Sequence, residues 1–461
     1  MRLTVIGCGY LGAVHAAAMA DLGHHVLGVE TDPARLALLA RGEAPFYEPG
    51  LDELLRRGAR TGRLRYTAAL DGAAARADVH FLAVGTPQSP SGRGADLSHL
   101  WRAVDSLAAV LPRCVHPDGM PLVVGKSTVP VGTAQQVADR LAGRALVVWN
   151  PEFLRESMAV ADTLSPDRIV YGLPTEPARA ERARAILDEV YAPILAAGTP
   201  RLTMDYQTAE LVKTAANAFL ATKISFINAM SALCAATGAD VTVLADAIGR
   251  DARIGSHFLR AGLGFGGGCL PKDLRGLEQS AAELGANGLA SFLSRVDSIN
   301  RGQRDRVTQM ALEALGPNPA GRAVTILGIT FKPDSDDLRD SPVLEVALRL
   351  ADAGAVVTVH DPRGLEGLSR LHPVLRAQPD ALRALEGAEL VILGTEWKEL
   401  TDLDPRAAAA RVARPVVIDA RNALAPSRWT AAGWDYHGIG RPSELRWSAP
   451  RRRALAGTMV G

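Results

Sequence analysis

The chain predicts an α/β protein, two Rossmann-like doubly wound domains joined by a central α-helical domain with one long helix. Three observations carry that prediction. Apolar strands alternate with helical stretches near both ends of the sequence, the pattern of a parallel sheet covered on both faces. A glycine-rich turn, Gly7-Cys-Gly-Tyr-Leu-Gly12, joins the first strand to the first helix. Between the two α/β stretches, Ala209 to Ala236 is alanine-rich and free of glycine and proline, so it reads as one continuous helix. At 461 residues the chain also exceeds what one core supports, and about three domains are expected.

Taken in order, Leu3 to Ile6 is a short buried strand, Ala13 to Leu22 a helix stopped at Gly23, and His25 to Val29 the next strand, closed by Glu30. These form a complete βαβ unit. Further strands are predicted at Val79 to Val84, Pro121 to Val124 and Ala145 to Trp149. The texture changes near Thr208, where the long helix begins. Helical patterns continue through Val241 to Ile248 and Asp273 to Ala286, and another helix leads to Gly316-Pro317. The α/β rhythm then returns, with strands at Ala323 to Leu327, Val356 to Val359, Leu390 to Leu393 and Val416 to Asp419. Gly-Thr follows an apolar strand in both halves, at Gly85-Thr86 and Gly394-Thr395, as an internal echo. The boundaries read from this are 1–200, 201–300 and 301–440, and the basic stretch 441–461 is a candidate disordered tail.

Bulk properties exclude several classes. Hydrophobic residues make up 48% and charged residues 22%, ordinary values for a soluble globular protein. A formal net charge of +1 gives no global field to recruit nucleic acid or a membrane surface. Cys8, Cys114, Cys234 and Cys269 are far apart with no C-x-x-C pair, which argues against a disulfide framework or a structural metal site. No signal-peptide core follows Met1, and no unbroken apolar run reaches the ~18 residues of a membrane span, so a cytoplasmic protein is expected. Arginine far outnumbers lysine. The only lysines are Lys126, Lys213, Lys223, Lys272, Lys332 and Lys398, so each retained one draws interest.

The richest stretch is Gly262-Leu-Gly-Phe-Gly-Gly-Gly-Cys-Leu-Pro-Lys-Asp273. It sets Cys269 in a turn that only glycines let bend freely, with Lys272 and Asp273 close behind. An accessible thiol beside a cation is expected to favour its thiolate, the form that attacks carbon. The opening turn supplies a complementary hydride acceptor. Gly7 makes the turn, Gly9 admits a pyrophosphate and Gly12 lets helix and sheet pack closely. Glu30 would bond a ribose 2′-hydroxyl and repel a 2′-phosphate, favouring NAD over NADP, with Arg35 slightly blunting that preference.

Four further groups sit where an open sheet places its ligands, or near it. Lys126-Ser-Thr-Val-Pro130 ends a strand, and Thr86 and Thr128 can bond a ligand or merely their own turns. Asn150-Pro-Glu-Phe-Leu-Arg-Glu156 follows another strand. If a helix begins at Pro151, Glu152 and Glu156 share a face, either as acid–base groups or as acids complementing the helix dipole. Lys213 and Asn217 lie one helical turn apart and project together, able to stabilise an oxyanion, whereas Lys223 and Asn228 fall on other faces. Lys332 and Arg339 in the loop Phe331 to Pro342 read as phosphate contacts or as a solvated charged loop.

Together these motifs resemble the nucleotide-sugar 6-dehydrogenases of the UDP-glucose/GDP-mannose dehydrogenase family, from Leu3 to about Asn422. The resemblance rests on GCGYLG, GTP at Gly85 to Pro87, KSTVPVG, NPEFLRES, ELVKTAANAFLATKISFIN, DARIG, GFGGGCLPKD, FKPDSDDLRDSP and DARN. It implies an NAD-binding domain, a central dimerisation domain and a C-terminal domain that binds the UDP of a nucleotide sugar. It also implies two successive oxidations of a sugar C6 alcohol. The DARIG and DARN segments and the Cys-Leu-Pro-Lys run lean towards the members that act on UDP-glucose, against GDP-mannose and UDP-N-acetylhexosamines.

By the same resemblance Cys269 is the nucleophile, Lys213, Asn217 and Asp273 surround the reacting carbon, Glu152 is the acid–base group and Thr128 holds a water. Gly7, Gly9, Tyr10, Leu11, Gly12, Glu30, Arg35, Thr86, Thr128, Glu156 and Arg339 match cofactor contacts. Glu152, Phe153, Leu154, Arg155, Glu156, Lys213, Asn217, Arg253, Phe258, Gly262, Gly266, Lys332 and Arg421 match substrate contacts, with Arg253 expected to reach a partner subunit in a homodimer or higher homo-oligomer. No metal is implied. The chain departs from the usual pattern at Gly268, where serine commonly precedes the nucleophile, at Glu30, which replaces aspartate, and at Ala229, where glutamate is common.

Overall fold

A computed structural model describes residues 1–442 except 71, 73–75, 90–93 and 113–118, so Cys114 and the stretch 443–461 lie outside the described residues. Two sheets flank a helical middle. The first holds β1 (Arg2–Ile6), β2 (His25–Val29), β3 (Leu64–Thr67), β4 (Val79–Leu82), β5 (Leu122–Gly125), β6 (Leu146–Trp149), β7 (Ile169–Leu173) and β8 (Arg201–Asp205). Their spatial order is β3-β2-β1-β4-β5-β6-β7-β8. The second holds β9 (Ala323–Leu327), β10 (Val356–His360), β11 (Arg376–Ala377), β12 (Leu390–Leu393), β13 (Val416–Asp419) and β14 (Asp435–Gly438), ordered β11-β10-β9-β12-β13-β14.

Among the described residues, every pairing between these strands is parallel except one. β6 meets β7 antiparallel through the single pair Trp149–Gly172, so the first sheet is mixed rather than wholly parallel. The central strands read correctly because β4, β5, β6, β12 and β13 are buried along their whole length. The strands that the sequence did not announce are mostly less apolar: β8 is exposed along most of its length and β11 is two exposed residues.

Each sheet reverses its strand order once, between β1 and β4 and between β9 and β12. The crevice beyond those carboxyl ends is where such sheets bind ligands. In the first crevice Gly7 has φ +86°, and a Cβ on Gly12 would lie 1.8 Å from the Gly7 carbonyl oxygen. Only glycine fits there, and the helix Tyr10–Asp21 thereby starts tight against the sheet.

The long helix spans Tyr206–Thr237. The Asp205 carboxylate accepts the Thr208 amide at 2.7 Å to cap it, a bond worth about 1 kcal/mol, and Gly238 at φ +77° stops it. It packs against the helices Leu270–Glu283 and Asn287–Leu315. Ala218 and Ala221 let those helices approach, and Phe265, Leu274, Leu277, Leu293 and Val296 fill the space between. Each large side chain buried this way contributes roughly 1.5–3 kcal/mol. By length and composition alone the long helix would suffice to cross a bilayer, contrary to the expectation from unbroken apolar runs. It nevertheless buries Glu210, Lys213 and Asn217 within the protein.

Candidate active site

At the first crevice, Gly9 precedes the helix Tyr10–Asp21, and no atom lies within 4 Å of the point its Cβ would occupy. The first-turn amides have no partner within the helix, and no acidic residue occupies that turn, an arrangement suited to a pyrophosphate. Glu30 is buried at the end of β2. Its carboxylate accepts the amides of Cys8 at 3.1 Å and Asp32 at 2.9 Å, and pairs with Arg35 at 3.1 Å. A carboxylate has about four acceptor positions, so one remains for a ribose hydroxyl. Thr86 donates its hydroxyl to the Thr128 carbonyl at 2.7 Å, tying the loops after β4 and β5 together. Tyr10 is committed elsewhere: its hydroxyl bonds Glu48 and its ring packs on Phe46 at 4.6 Å. Glu48 in turn receives the amides of Ser157 and Ala159, both at 2.8 Å.

A cleft of about 800 Å³ runs from Leu11 past the Asn150–Glu156 loop and the long helix to Phe331 and Lys332. Lys213 and Asn217 reach it from the long helix, and Gly266 to Cys269 form another wall. The Lys213 ammonium stands 3.0 Å from a Glu152 carboxylate oxygen, while the other oxygen accepts the Leu154 amide at 2.6 Å. Burial works against the charge on Lys213, but the fields of Glu152, Cys269 and Asp273 outweigh it and raise its pKa. Asn217 donates its amide to Asp273 at 2.6 Å, and Lys272 pairs with the other Asp273 oxygen at 2.7 Å.

Cys269 caps the helix Leu270–Glu283 and is exposed to the cleft. The expectation that a neighbouring cation keeps it as thiolate is corrected here. Crowding by protein atoms on the remaining sides, followed by the negative charges of Glu152, Asp273 and Glu156, pushes its pKa up to about 12, with Lys213 opposing. Lys272 is spent on Asp273 instead.

The expected helix from Pro151 is also absent. Residues 151–156 are irregular, Ser157 has φ +68°, and the helix Ala159–Leu164 starts later, so Glu152 and Glu156 share no helical face. They diverge to different neighbours. Glu156 lies against the loop after β9, where Arg339 approaches at 3.3 Å, Ser335 at 3.4 Å, and Lys332 donates to the Glu156 carbonyl. Burial and Asp337 together push the Glu156 carboxyl up to about 7, against the pull of Arg339 and Lys332. Burial lowers the Lys332 pKa.

Other expected contacts divide clearly. Phe153, Leu154, Arg155 and Phe258 line the cleft, with the Arg168 guanidinium 3.9 Å above the Phe153 ring. Arg155 is tied to Asp162 by two bonds of 2.9 and 2.6 Å. Gly262 donates its amide to Asn228, and Lys223 bonds the Ile254 and Gly255 carbonyls. Arg421 spends its guanidinium on the carbonyls of Gly394, Gly264 and Phe331, at 2.8, 2.8 and 3.1 Å, bracing three loops below the cleft. Arg253 is 89% exposed and paired with Asp251, well outside the cleft lining. Thr128 lines a separate cavity of about 30 Å³ with Lys272 and Asp273, room for one water. Sequence reasoning assigned no role to His15, Lys126, Asn150 or Tyr191, yet all four line the base of the cleft. The rarity of lysine was the available signal for Lys126.

Comparison with known proteins agrees along nearly the whole chain. The NAD-binding, central and UDP-binding domains of the UDP-glucose/GDP-mannose dehydrogenase family match residues 1–195, 207–302 and 325–426. A UDP-glucose 6-dehydrogenase of Pseudomonas aeruginosa is 41% identical over 457 residues, covering 96% of this chain and 98% of the relative. One from Rhizobium meliloti is 39% identical, covering 96% and 100%. A solved UDP-glucose dehydrogenase from Pyrobaculum islandicum superposes with a TM-score of 0.85 at 38% identity, covering 95% of this chain and 98% of that one. Fold, glycine turn and first domain define an NAD-dependent oxidoreductase. The chain belongs to the UDP-glucose/GDP-mannose dehydrogenase family.

Proposed function

We propose that the protein oxidises UDP-glucose at C6 to UDP-glucuronate, a four-electron reaction that consumes two NAD+ and proceeds through Cys269. The observation that carries this reading is the Lys213–Glu152 pair standing in one cleft with Cys269, at the edge where Lys332, from the loop after β9, meets Glu156. NAD+ held by the Gly7 to Gly12 turn, Glu30 and the Thr86–Thr128 edge supplies the hydride acceptor for each oxidation.

The chain's own groups do the rest. Lys213 and Asn217 steady the sugar C6 oxygen as negative charge develops on it, a role worth ~3–4 kcal/mol per donor. Asp273 fixes the Asn217 amide for that task. After the first oxidation the Cys269 thiol adds to the aldehyde: Sγ bonds the carbon, its proton passes through Glu152 to the former carbonyl oxygen, and the resulting thiohemiacetal keeps the intermediate bound. The second oxidation leaves a thioester. Glu152 then takes a proton from water as it attacks, with Thr128 as a candidate to hold that water. A thiol with so high a pKa departs poorly as thiolate, so the proton taken by Glu152 is returned to Sγ.

Lys332 and Arg339 serve the anionic groups of the ligands, and Arg421 serves them by holding the loops in place. In this reading residues 1–200 bind NAD, 201–300 dimerise and 301–440 bind the UDP moiety, in a cytoplasmic homodimer or higher homo-oligomer. Arg253, exposed and free of the cleft, reaches the partner subunit.

Two measurements test the proposal. NADH released with UDP-glucose, GDP-mannose and UDP-N-acetylglucosamine is compared, and two NADH per sugar are expected with UDP-glucose alone. Cys269→Ser is expected to stall after the first oxidation. Activity with another sugar nucleotide only, or full turnover by Cys269→Ser, overturns the corresponding part.

A further inference from the structure

Lys126 is a buried ammonium without a counter-ion. Its side chain ends at the base of the cleft, and among the described residues no carboxylate stands within ion-pair distance of it. It donates to the Asn150 side-chain oxygen at 2.9 Å, with the Tyr191 hydroxyl at 3.4 Å and the Asn150 carbonyl at 3.5 Å. Tyr191 donates to the same Asn150 oxygen at 2.8 Å, and the Asn150 amide donates to the Val170 carbonyl at 2.8 Å. Asn150 thereby bridges the ends of β6 and β7, where the sheet reverses direction. Glu152 lies two residues further on.

Desolvating an ammonium this fully costs several kcal/mol, and a methionine would fill the same space without that penalty. Such a charge is kept where it acts on something. The titratable groups facing it are Glu152 from the loop after β6, Lys213 from the long helix, His15 from the helix Tyr10–Asp21, and Tyr191. Nε2 of His15 is buried without a partner, and burial together with the Lys126 charge keeps that imidazole neutral. Tyr191 is likewise held neutral by burial. The field of Lys126 therefore falls on the Lys213–Glu152 pair.

We propose that Lys126 is a positioning residue for that pair: through Asn150 it fixes the strand end that carries Glu152, and its charge sets the field in which Lys213 holds its charge and Glu152 passes protons to and from water and Sγ. The inference rests on the catalytic reading of that pair given above. Burial pushes the Lys126 pKa down to about 8, with Glu152 opposing and Lys213 adding to the fall. The charge that Lys126 lends the pair thus fades as pH rises past that value.

With only six lysines in the chain, their titrations can be followed one by one by NMR on protein labelled at the lysine side-chain carbons. Removing a positive charge raises the pKa of every neighbouring group. In Lys126→Met the Lys213 titration is expected to move up by roughly half a unit or more. The acid limb of kcat is expected to move up with it, and kcat is expected to fall roughly tenfold with little change in KM. Lys126→Gln, which removes the charge but keeps a polar donor near Asn150, is expected to shift both in the same direction and serves if the methionine variant does not fold. A scaffold role alone would lower thermal stability and scale kcat at all pH values without moving either titration. Unmoved titrations in a folded variant overturn the proposal. The NMR arm needs no substrate, so a wild-type protein inert towards UDP-glucose would count against the catalytic reading and leave the coupling measurable.

Discussion

The Asp340 carbonyl oxygen lies 2.2 Å from the point that a Cβ on Gly266 would occupy. The loop after β9, which carries Lys332 and Arg339, therefore rests directly on the glycine turn that presents Cys269. Neither side of that contact yields easily. Asp340 adopts φ +46°, and its carboxylate is held by Arg304 at 2.9 Å and Arg275 at 3.6 Å, from two helices of the central region. The Arg339 carbonyl also accepts the Gly267 amide at 3.0 Å.

Gly266→Ala is accordingly expected to destabilise the protein by about 1–3 kcal/mol through overpacking against an immobile backbone. Separating the two loops also displaces Lys332 from the cleft, so kcat falls and KM for the sugar nucleotide rises. Thermal unfolding and steady-state kinetics check both effects. An alanine variant with wild-type stability would show that the Asp340 loop moves freely.

The Cys269 thiol offers a second test that needs no substrate. With its pKa pushed up to about 12, chiefly by desolvation and then by Glu152, alkylation by iodoacetamide is expected to be slow near neutrality. Its rate should keep climbing with pH without a plateau in the neutral range. Glu152→Gln removes the largest opposing charge, so the thiol pKa falls and alkylation speeds up at a given pH. Slower alkylation in that variant would reverse the assigned sign.

Much of this arrangement was legible in the sequence, for reasons that differ between residues. Central strands such as β5 and β12 announce themselves because both their faces are buried. Gly7 and Gly12 announce the crevice because no other residue fits there, and Gly9 because it leaves the space beside the turn open. The state of Cys269 was not legible, because it depends first on burial and then on Glu152, which comes from a distant part of the chain. Nor was the divergence of Glu152 and Glu156, which follows from the left-handed Ser157 and from Lys332 and Arg339 drawing the Glu156 side away. Lys126 makes the same point: one of six lysines stands out by rarity, but only the fold shows that it meets Asn150 and, among the described residues, no carboxylate.

Glu156 links the site to pH. Its carboxyl is raised from about 4.5 to about 7, chiefly by burial. A group raised in the folded state favours folding while protonated, so its contribution is full below its unfolded value and lost as pH climbs through about 7. Glu156→Gln removes that titration. Urea unfolding of both proteins across this window is expected to show wild type losing stability relative to the variant as pH rises. A constant difference would mean that the carboxyl titrates at its ordinary value.

The long helix leaves one face uncovered. Leu211, Phe219, Phe226 and Leu233 are 40 to 67% exposed and recur every seven or eight residues, which puts them on one stripe. Isolated exposed apolar residues are unremarkable, but an aligned row of this length is the kind of surface a second subunit covers. Phe226 and Leu233 lie away from the cleft lining, so they can be changed without touching the chemistry. Phe226→Glu with Leu233→Glu is expected to yield monomers by sedimentation. If Arg253 acts across the dimer, activity falls with the association and recovers when the variant is driven back together at high concentration. Dimers that survive both charges would place the interface elsewhere, and a fully active monomer would remove Arg253 from the site.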